Sequence, residues 1–516
     1  MTDNLTKLKE WFRAGTAEGE KALLERCFVY VDEFSDAIAP PAGNPHLLVG
    51  PKGSGKSAIL DFTLRISQQQ KIPAILLTPV DFDTTGLPSG ASTGDLVRIF
   101  QSILVSAIAT KLAEDGTGWF DGDQADLYRE AVNVGARSPD FFGRMGKFIA
   151  SAAKPLIKID LNAAFPHLTS QTRSELEQAV GRVLGTKSFY LLLDDTDQIG
   201  SPDQPTHLNR IWALILAVRR LATSIPELKA IVSLRTEIWE RLKVDDAGQR
   251  DQTDHFKQLI VRLKSQRKDV EAIVSRRVSL AAIGSNMHSD PYEVFFEGRS
   301  ARAPYSEEWR SWPDLIAVRS RERPRDAIQL VSECIDKAKR EGKALIDEQV
   351  FQSVMPAFSE SVAQEFAKEV KRECPQALEI VRSFASVEYD SGGFTMSSQL
   401  ALNHLKSILT RFSVSLYGIS LSQQKEADVF ELWRFFYLNG VLNARASDGI
   451  NEKYRHLDPY DDPMFVVKPR WNDLQKVLWE VNTVYRDFLI SVQAENQKLT
   501  GLAVKRRSVK TRKRPA

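Results

Sequence analysis

Five short apolar runs, rich in branched residues, punctuate the first half of the chain at residues 45–49, 72–79, 188–195, 228–235 and 256–263. Runs of this length without strict alternation read as strands buried on both faces, the habit of a parallel sheet. Helical periodicity fills the stretches between them. In the clearest case Leu96, Ile99, Phe100, Ile103, Leu104, Ala107 and Ile108 recur at i, i+3, i+4 spacing, a stripe suited to packing on a sheet. Strands alternating with helices predict an α/β, doubly wound core.

A long interval, residues 114–184, separates the second and third strands and predicts a helical decoration or a surface for another chain. Beyond residue 265 the pattern turns helical, with helices expected at 269–278, 326–341, 347–358, 360–373 and 400–416. Pro324 stands where the second of these would start. A further helix at 424–438 stops at Asn439-Gly440. Two strands, 441–445 and 464–468, would flank a polar loop with Asp448-Gly449, and a long helix would follow at 471–497. Helices followed by a β-hairpin suggest a winged-helix module. The expected organisation is an N-terminal segment 1–40, a core 41–268, a helical lid region 269–398, a winged-helix-like domain 399–497 and a disordered basic tail 498–516.

Composition narrows the class. With 516 residues, 43% hydrophobic and 26% charged, the chain reads as a multidomain globular protein. No apolar run approaches the roughly 20 residues of a membrane span, and the N-terminus lacks a secretory pattern, so a cytoplasmic protein without membrane contact is expected. Cys27, Cys334 and Cys374 are widely spaced, which argues against both a disulfide framework and a zinc site. A net charge of +2 does not announce a nucleic-acid binder. The local exception is Lys505, Arg506, Arg507, Lys510, Arg512, Lys513 and Arg514, a tail able to touch phosphates.

The chemistry concentrates at Gly50-Pro51-Lys52-Gly53-Ser54-Gly55-Lys56-Ser57, which matches G-x-x-x-x-G-K-[ST] in full. A strand ending at Val49 leads in, and a helix from Ser57 through Ala58 to Ile66 leads out. Glycines let the backbone curl so that its N–H groups cradle phosphate oxygens, aided by the helix N-terminus. Lys56 is expected to reach the β- and γ-phosphates of ATP, and the Ser57 hydroxyl to hold Mg²⁺. A second run, residues 189–193, ends in Asp194-Asp195. Adjacent buried acids need a cation, so Asp194 is the candidate to hold Mg²⁺ through water and Asp195 to polarise the attacking water.

Together with the strand ending Ser233-Leu234-Arg235-Thr236, these motifs resemble the additional-strand P-loop ATPases, the AAA+ and STAND branches. The resemblance implies that this strand lies between the other two and ends in a sensor of the γ-phosphate, Arg235 or alternatively Thr236. Arg321-Glu322-Arg323-Pro324-Arg325 resembles a lid-helix start with a second sensor, Arg325 or Arg323. Arg276 and Arg277 are candidate arginine fingers, with packing as the alternative. The broadest likeness is to a bacterial P-loop ATPase family with Phe28 and Phe34 ahead of the core, a winged helix behind it and a frequent setting in defence or mobile elements. One reading is a conformational switch driven by ATP binding and slow hydrolysis to ADP, coupled to a homo-oligomer or a partner effector. The alternative is an initiator-like ATPase contacting duplex DNA through the wing (Lys453, Arg455, His456, Lys468, Arg470) and the tail. The acidic residues Glu426, Asp428 and Glu431 on the would-be recognition helix weigh against base reading.

Overall fold

The computed structural model describes residues 4–13, 21–81, 91–115, 170–200, 202, 204, 206–244, 254–264, 266–283, 290–306, 308–389, 393–447, 454–459 and 461–511. The chain forms two compact units: Tyr30–Lys264, and Met1–Val29 together with Ser265–Ala516.

Each of the five apolar runs of the first half holds a strand: β1 (His46–Gly50), β2 (Ala74–Leu77), β3 (Phe189–Leu193), β4 (Leu228–Arg235) and β5 (Ile260–Arg262), although the first half of the last run, to Leu259, is 3-10 helix instead. They form one sheet in the order β2-β3-β4-β1-β5, and every pairing is parallel. The strand implied by the resemblance is therefore present, with β4 between β1 and β3. Every residue of β1 is buried, which follows from helices covering both faces of a parallel sheet. The stripe on the helix Thr93–Asp115 is buried as the periodicity predicts, but so are Val97, Val105 and Ala109. Helices His207–Ser224 and Ser170–Leu184 also pack on this helix, so apolar residues line more than one of its faces. Residues 116–169 of the long interval lie outside the described residues.

In the second unit, the helix Asn4–Trp11 packs on Arg267–Ala282 and buries Leu5, Leu8 and Trp11. The two helices expected at 347–358 and 360–373 are one, Glu348–Glu369, running through Pro356. Burial of Val354, Met355, Phe358, Val362 and Phe366 along it offsets the hydrogen bond that Pro356 cannot donate. A hairpin, β6 (Ser300–Arg302) and β7 (Trp309–Ser311), precedes the helices.

At the C-terminal end, β8 (Thr395–Ser397), β11 (Leu442–Ser447), β12 (Tyr454–Leu457) and β13 (Leu478–Val481) form a sheet in the order β12-β11-β13-β8. A small hairpin, β9 (Ser415–Leu416) and β10 (Ile419–Ser420), separates the helices Ser398–Arg411 and Glu426–Leu438. Three expectations fail here. Residues 464–468 form turns and the start of a short 3-10 segment, not a strand, and the partner of β11 is β12. The helix expected at 471–497 is interrupted by β13, then resumes as Arg486–Thr511, reaching into the stretch read as a disordered tail. Tyr485, Phe488, Leu489 and Val492 continue a helical spacing that masks the strand before them. Residues 448–453 and 512–516, with the expected loop, Lys453 and the last three basic positions, lie outside the described residues. Among the described residues, no helix is long and apolar enough to cross a membrane.

Trp479 anchors this sheet: it is wholly buried, its indole N–H donates to Ser398 Oγ at 2.8 Å, and its ring meets Trp433 edge-on at 4.7 Å. Trp479→Ala is expected to cost about 3–5 kcal/mol in the unit that holds it, read by denaturant unfolding. A loss below about 1 kcal/mol would contradict this packing role.

Candidate functional site

The phosphate loop leaves β1 at Gly50 and enters the helix Lys56–Gln69. Gly53 (φ 80°) and Gly55 (φ 95°) are left-handed, a conformation that side chains resist. Gly50 serves space instead: a Cβ there would come within 2.7 Å of Ser54 Oγ and 3.2 Å of Leu263. The Ser54 hydroxyl is buried without a partner. Lys56 is buried, and its ammonium donates to the carbonyls of Gly50 and Pro51, both at 2.8 Å. Burial depresses its pKa, while Asp197, Glu237 and Asp194 pull it back up and Arg235 adds to the depression. This is a desolvated cation bonded to carbonyls beside an unsatisfied hydroxyl, in a cradle that one added carbon would fill. Such a loop fits a triphosphate. Pro51, Lys52, Ser57 and Ala58 complete it, each half-buried.

Strand register brings the remaining groups to the same edge. Gly50 pairs with Arg235, and Leu193 with Val232, so β1, β3 and β4 end together. Asp194 follows β3 and is buried; its Oδ1 accepts from the Ser233 hydroxyl at 2.6 Å and the Asp195 N–H at 2.9 Å. Asp195 adopts φ 49° and is exposed, so of the two acids expected to be buried only Asp194 is. Partial desolvation, then the charges of Asp194 and Asp197, raise its pKa to about 6 against the pull of Lys56 and Arg235. Arg235 Nε lies 2.6 Å from Asp197 and Nη1 3.6 Å from Glu237. Thr236, the alternative sensor, is buried with its hydroxyl unpartnered. Among the described residues, no group of three or more His, Cys, Asp or Glu side chains could hold a metal alone. One carboxylate and one serine suit Mg²⁺, which takes its other ligands from phosphates and water.

Three residues of this region carried no functional signal in the sequence: Ser233, Glu237 and His207. Ser233 is a polar interruption of an apolar strand, a cue that points to it only once its neighbour in the sheet is known. His207, wholly buried at a helix start, donates through Nε2 to the Asp197 carbonyl at 2.7 Å.

The remaining candidates belong to the other unit. Arg325 is partly exposed and lies 4.0 Å from Glu369. Arg323 stands at the N-cap of the helix Pro324–Arg340, its pKa lowered by burial and then by Arg321. Arg321 itself is held by Asp326 at 2.6 Å and Tyr485 at 3.2 Å. Arg277 is buried, bonded to the Trp11 carbonyl at 2.5 Å and placed 5.9 Å from the Phe12 ring. It packs its own unit, the alternative to a finger. Arg276 donates to the Arg26 carbonyl at 3.4 Å.

The sequence profile of the FunZ-associated C-terminal helical domain matches residues 305–367. No curated protein matches the chain. Solved structures similar to it include the Aeropyrum pernix ORC2 protein in ADPNP and ADP complexes, at TM-score 0.39 and 9% identity, covering 94% of this chain and 95% of that one. Another is Drosophila ORC bound to DNA, at TM-score 0.32 and 10% identity, covering 95% and 91%. A third is the Aeropyrum pernix ORC1 protein in complex with DNA, at TM-score 0.33 and 13% identity, covering 94% of each chain. Similarity this distant carries no functional argument.

Burial holds His207 neutral, its pKa lowered to about 4 from the ordinary 6.5. In the unfolded chain the imidazole takes a proton near pH 6.5, so stability falls as pH drops from there toward 4. The loss from this residue is on the order of 3 kcal/mol. His207→Gln should flatten the acid limb of stability against pH, and an unchanged slope would contradict a buried neutral imidazole.

Proposed function

We propose that this chain binds MgATP at the loop 50–57, hydrolyses it, and uses the nucleotide state to switch its conformation, its self-association and its hold on a partner protein. The observation that carries this is the common ending of β1, β3 and β4, which gathers Lys56, Asp194, Asp195 and Arg235 at one sheet edge. Open α/β sheets bind ligands there. Lys56 would offset charge on the β- and γ-phosphates, and Ser57 and Asp194 would hold the metal. When bound, Mg²⁺ supplies positive charge to the phosphate oxygens. Asp195, with a pKa raised to about 6, orients a water and accepts its proton. Arg235 exchanges Asp197 for a γ-phosphate oxygen and so reports the nucleotide state to β4. Arg325 or Arg323 supplies the second sensor. A setting in bacterial defence rests on the family resemblance alone.

Lys56→Ala should abolish binding of a fluorescent ATP analogue; unchanged affinity would remove the loop from the account. Asp195→Asn should keep MgATP affinity while phosphate release falls about 100-fold or more. Release at the parental rate would refute the assignment of Asp195.

A second reading, DNA contact, has its own support. β8, β13 and β11 with the helices Ser398–Arg411 and Glu426–Leu438 suit a winged helix in which β11 and β12 begin the wing. The helix Glu426–Leu438 is a poor base reader: Val429, Phe430, Trp433, Phe435, Phe436 and Tyr437 are core, and Glu431 holds Arg434 at 2.7 Å. Lys468 is taken by Glu426, and Arg470 by Asp462. In the wing, Arg445 sits 3.3 Å over the exposed ring of Tyr454, and among the described residues neither Arg445 nor Arg455 forms an ion pair. This favours sequence-tolerant phosphate contact. Replacing Arg445 and Arg455 with Ala should weaken duplex binding and flatten its salt dependence by about two phosphates. Salt-insensitive, sequence-selective binding would instead favour an initiator.

A further inference from the structure

We infer that Ser233 is a positioning residue of the metal site, fixing which oxygen of Asp194 is left for the metal's water. This rests on the MgATP reading above. Ser233 is wholly buried in β4, beside the end of β3, where an apolar residue would complete the strand. Its hydroxyl donates to Asp194 Oδ1 at 2.6 Å and accepts from the Asp195 N–H at 3.0 Å. A hydroxyl is suited to this bridge because it can donate to a carboxylate and accept from an amide at once. A third tie runs through the backbone, where the Thr196 hydroxyl donates to the Ser233 carbonyl.

The bonds are one-sided. Both of the hydrogen bonds on the Asp194 carboxylate fall on Oδ1. Oδ2 is thereby left as the oxygen able to accept from a metal-bound water. Among the described residues, Asp194 has no ion pair, so its buried charge is met only by these donors and the nearby Lys56. The same hydroxyl holds the Asp195 amide and with it the left-handed turn that aims the water-polarising carboxylate. Ser233 thus sets both acids without touching nucleotide or metal itself.

The test compares nucleotide binding with and without metal, by calorimetry on the full chain, with Mn²⁺ resonance as a second measure of metal affinity. Ser233→Ala should lower metal affinity in the nucleotide complex about 10–100-fold, the range for partners that orient metal ligands. Metal-free ADP affinity should stay parental, because Lys56 and the loop glycines are untouched. Ser233→Thr should restore metal binding by restoring the hydroxyl. Should Ser233→Ala not fold, Ser233→Cys, of similar shape and with a weaker donor, should show the same selective loss. Parental metal affinity in a folded Ala or Cys variant overturns the inference, as does an equal loss of metal-free ADP binding, which would mark a purely structural role. If the parent binds ADP without any response to metal, the inference fails while the phosphate loop stands. If the parent binds no nucleotide, both fail.

Discussion

Among the described residues, the buried ammonium of Lys56 has only backbone carbonyls as hydrogen-bond partners, and the rest of the site depends on it. Lys56 has given up water for two loop oxygens, and its charge is balanced at longer range by Asp194, Asp197 and Glu237. That arrangement needs a loop curled tightly enough to aim its carbonyls and amides, hence the left-handed Gly53 and Gly55 and the crowded Gly50. It also needs acids delivered from strands distant in sequence. Parallel pairing supplies them, because β3 and β4 must end where β1 ends. Gathering several charges in a place poor in water is costly unless a multivalent ligand completes the balance.

The second unit solves a different problem with similar means. Its helices and its C-terminal sheet are drawn from segments far apart in sequence, and buried ion pairs tie them together. Arg319 reaches Asp487 at 3.0 Å and the Thr483 carbonyl at 2.9 Å, while Arg321 holds Asp326 and Tyr485. Removing one partner of such a pair leaves a buried charge unmatched, a loss larger than that of an exposed pair. The start of the helix Pro324–Arg340 is therefore anchored to the segment that follows β13. Three arginines follow one another closely in sequence there: Arg321 is held by Asp326 and Tyr485, Arg323 stands at the helix N-cap, and Arg325 lies 4.0 Å from Glu369.

Much of the core was legible in the sequence because each signal was local. The five apolar runs, the P-loop spacing and the strand ending in Asp194-Asp195 are each read from a few consecutive residues, and the structure places them in one sheet. What escaped depended on partners remote in sequence. Ser233 looks like an ordinary strand serine until β3 lies beside it, and His207 gains meaning only from the turn whose Asp197 carbonyl it meets. β13 escaped because its tryptophan and valine merge with a helical pattern that resumes at Arg486. Its buried Glu480 makes sense only beside His456 and Arg486. The break expected at residue 359 did not occur, and the single helix also runs through Pro356, since tertiary burial outweighs one missing hydrogen bond.

Titration calorimetry of MgATP and MgADP into the folded full chain tests the central claim most directly. A loop shaped around a desolvated lysine should take up one nucleotide per chain, with release of heat. A well-folded preparation that binds neither would show that the cradle serves some other end, and the roles given to Asp194, Asp195 and Arg235 would go with it.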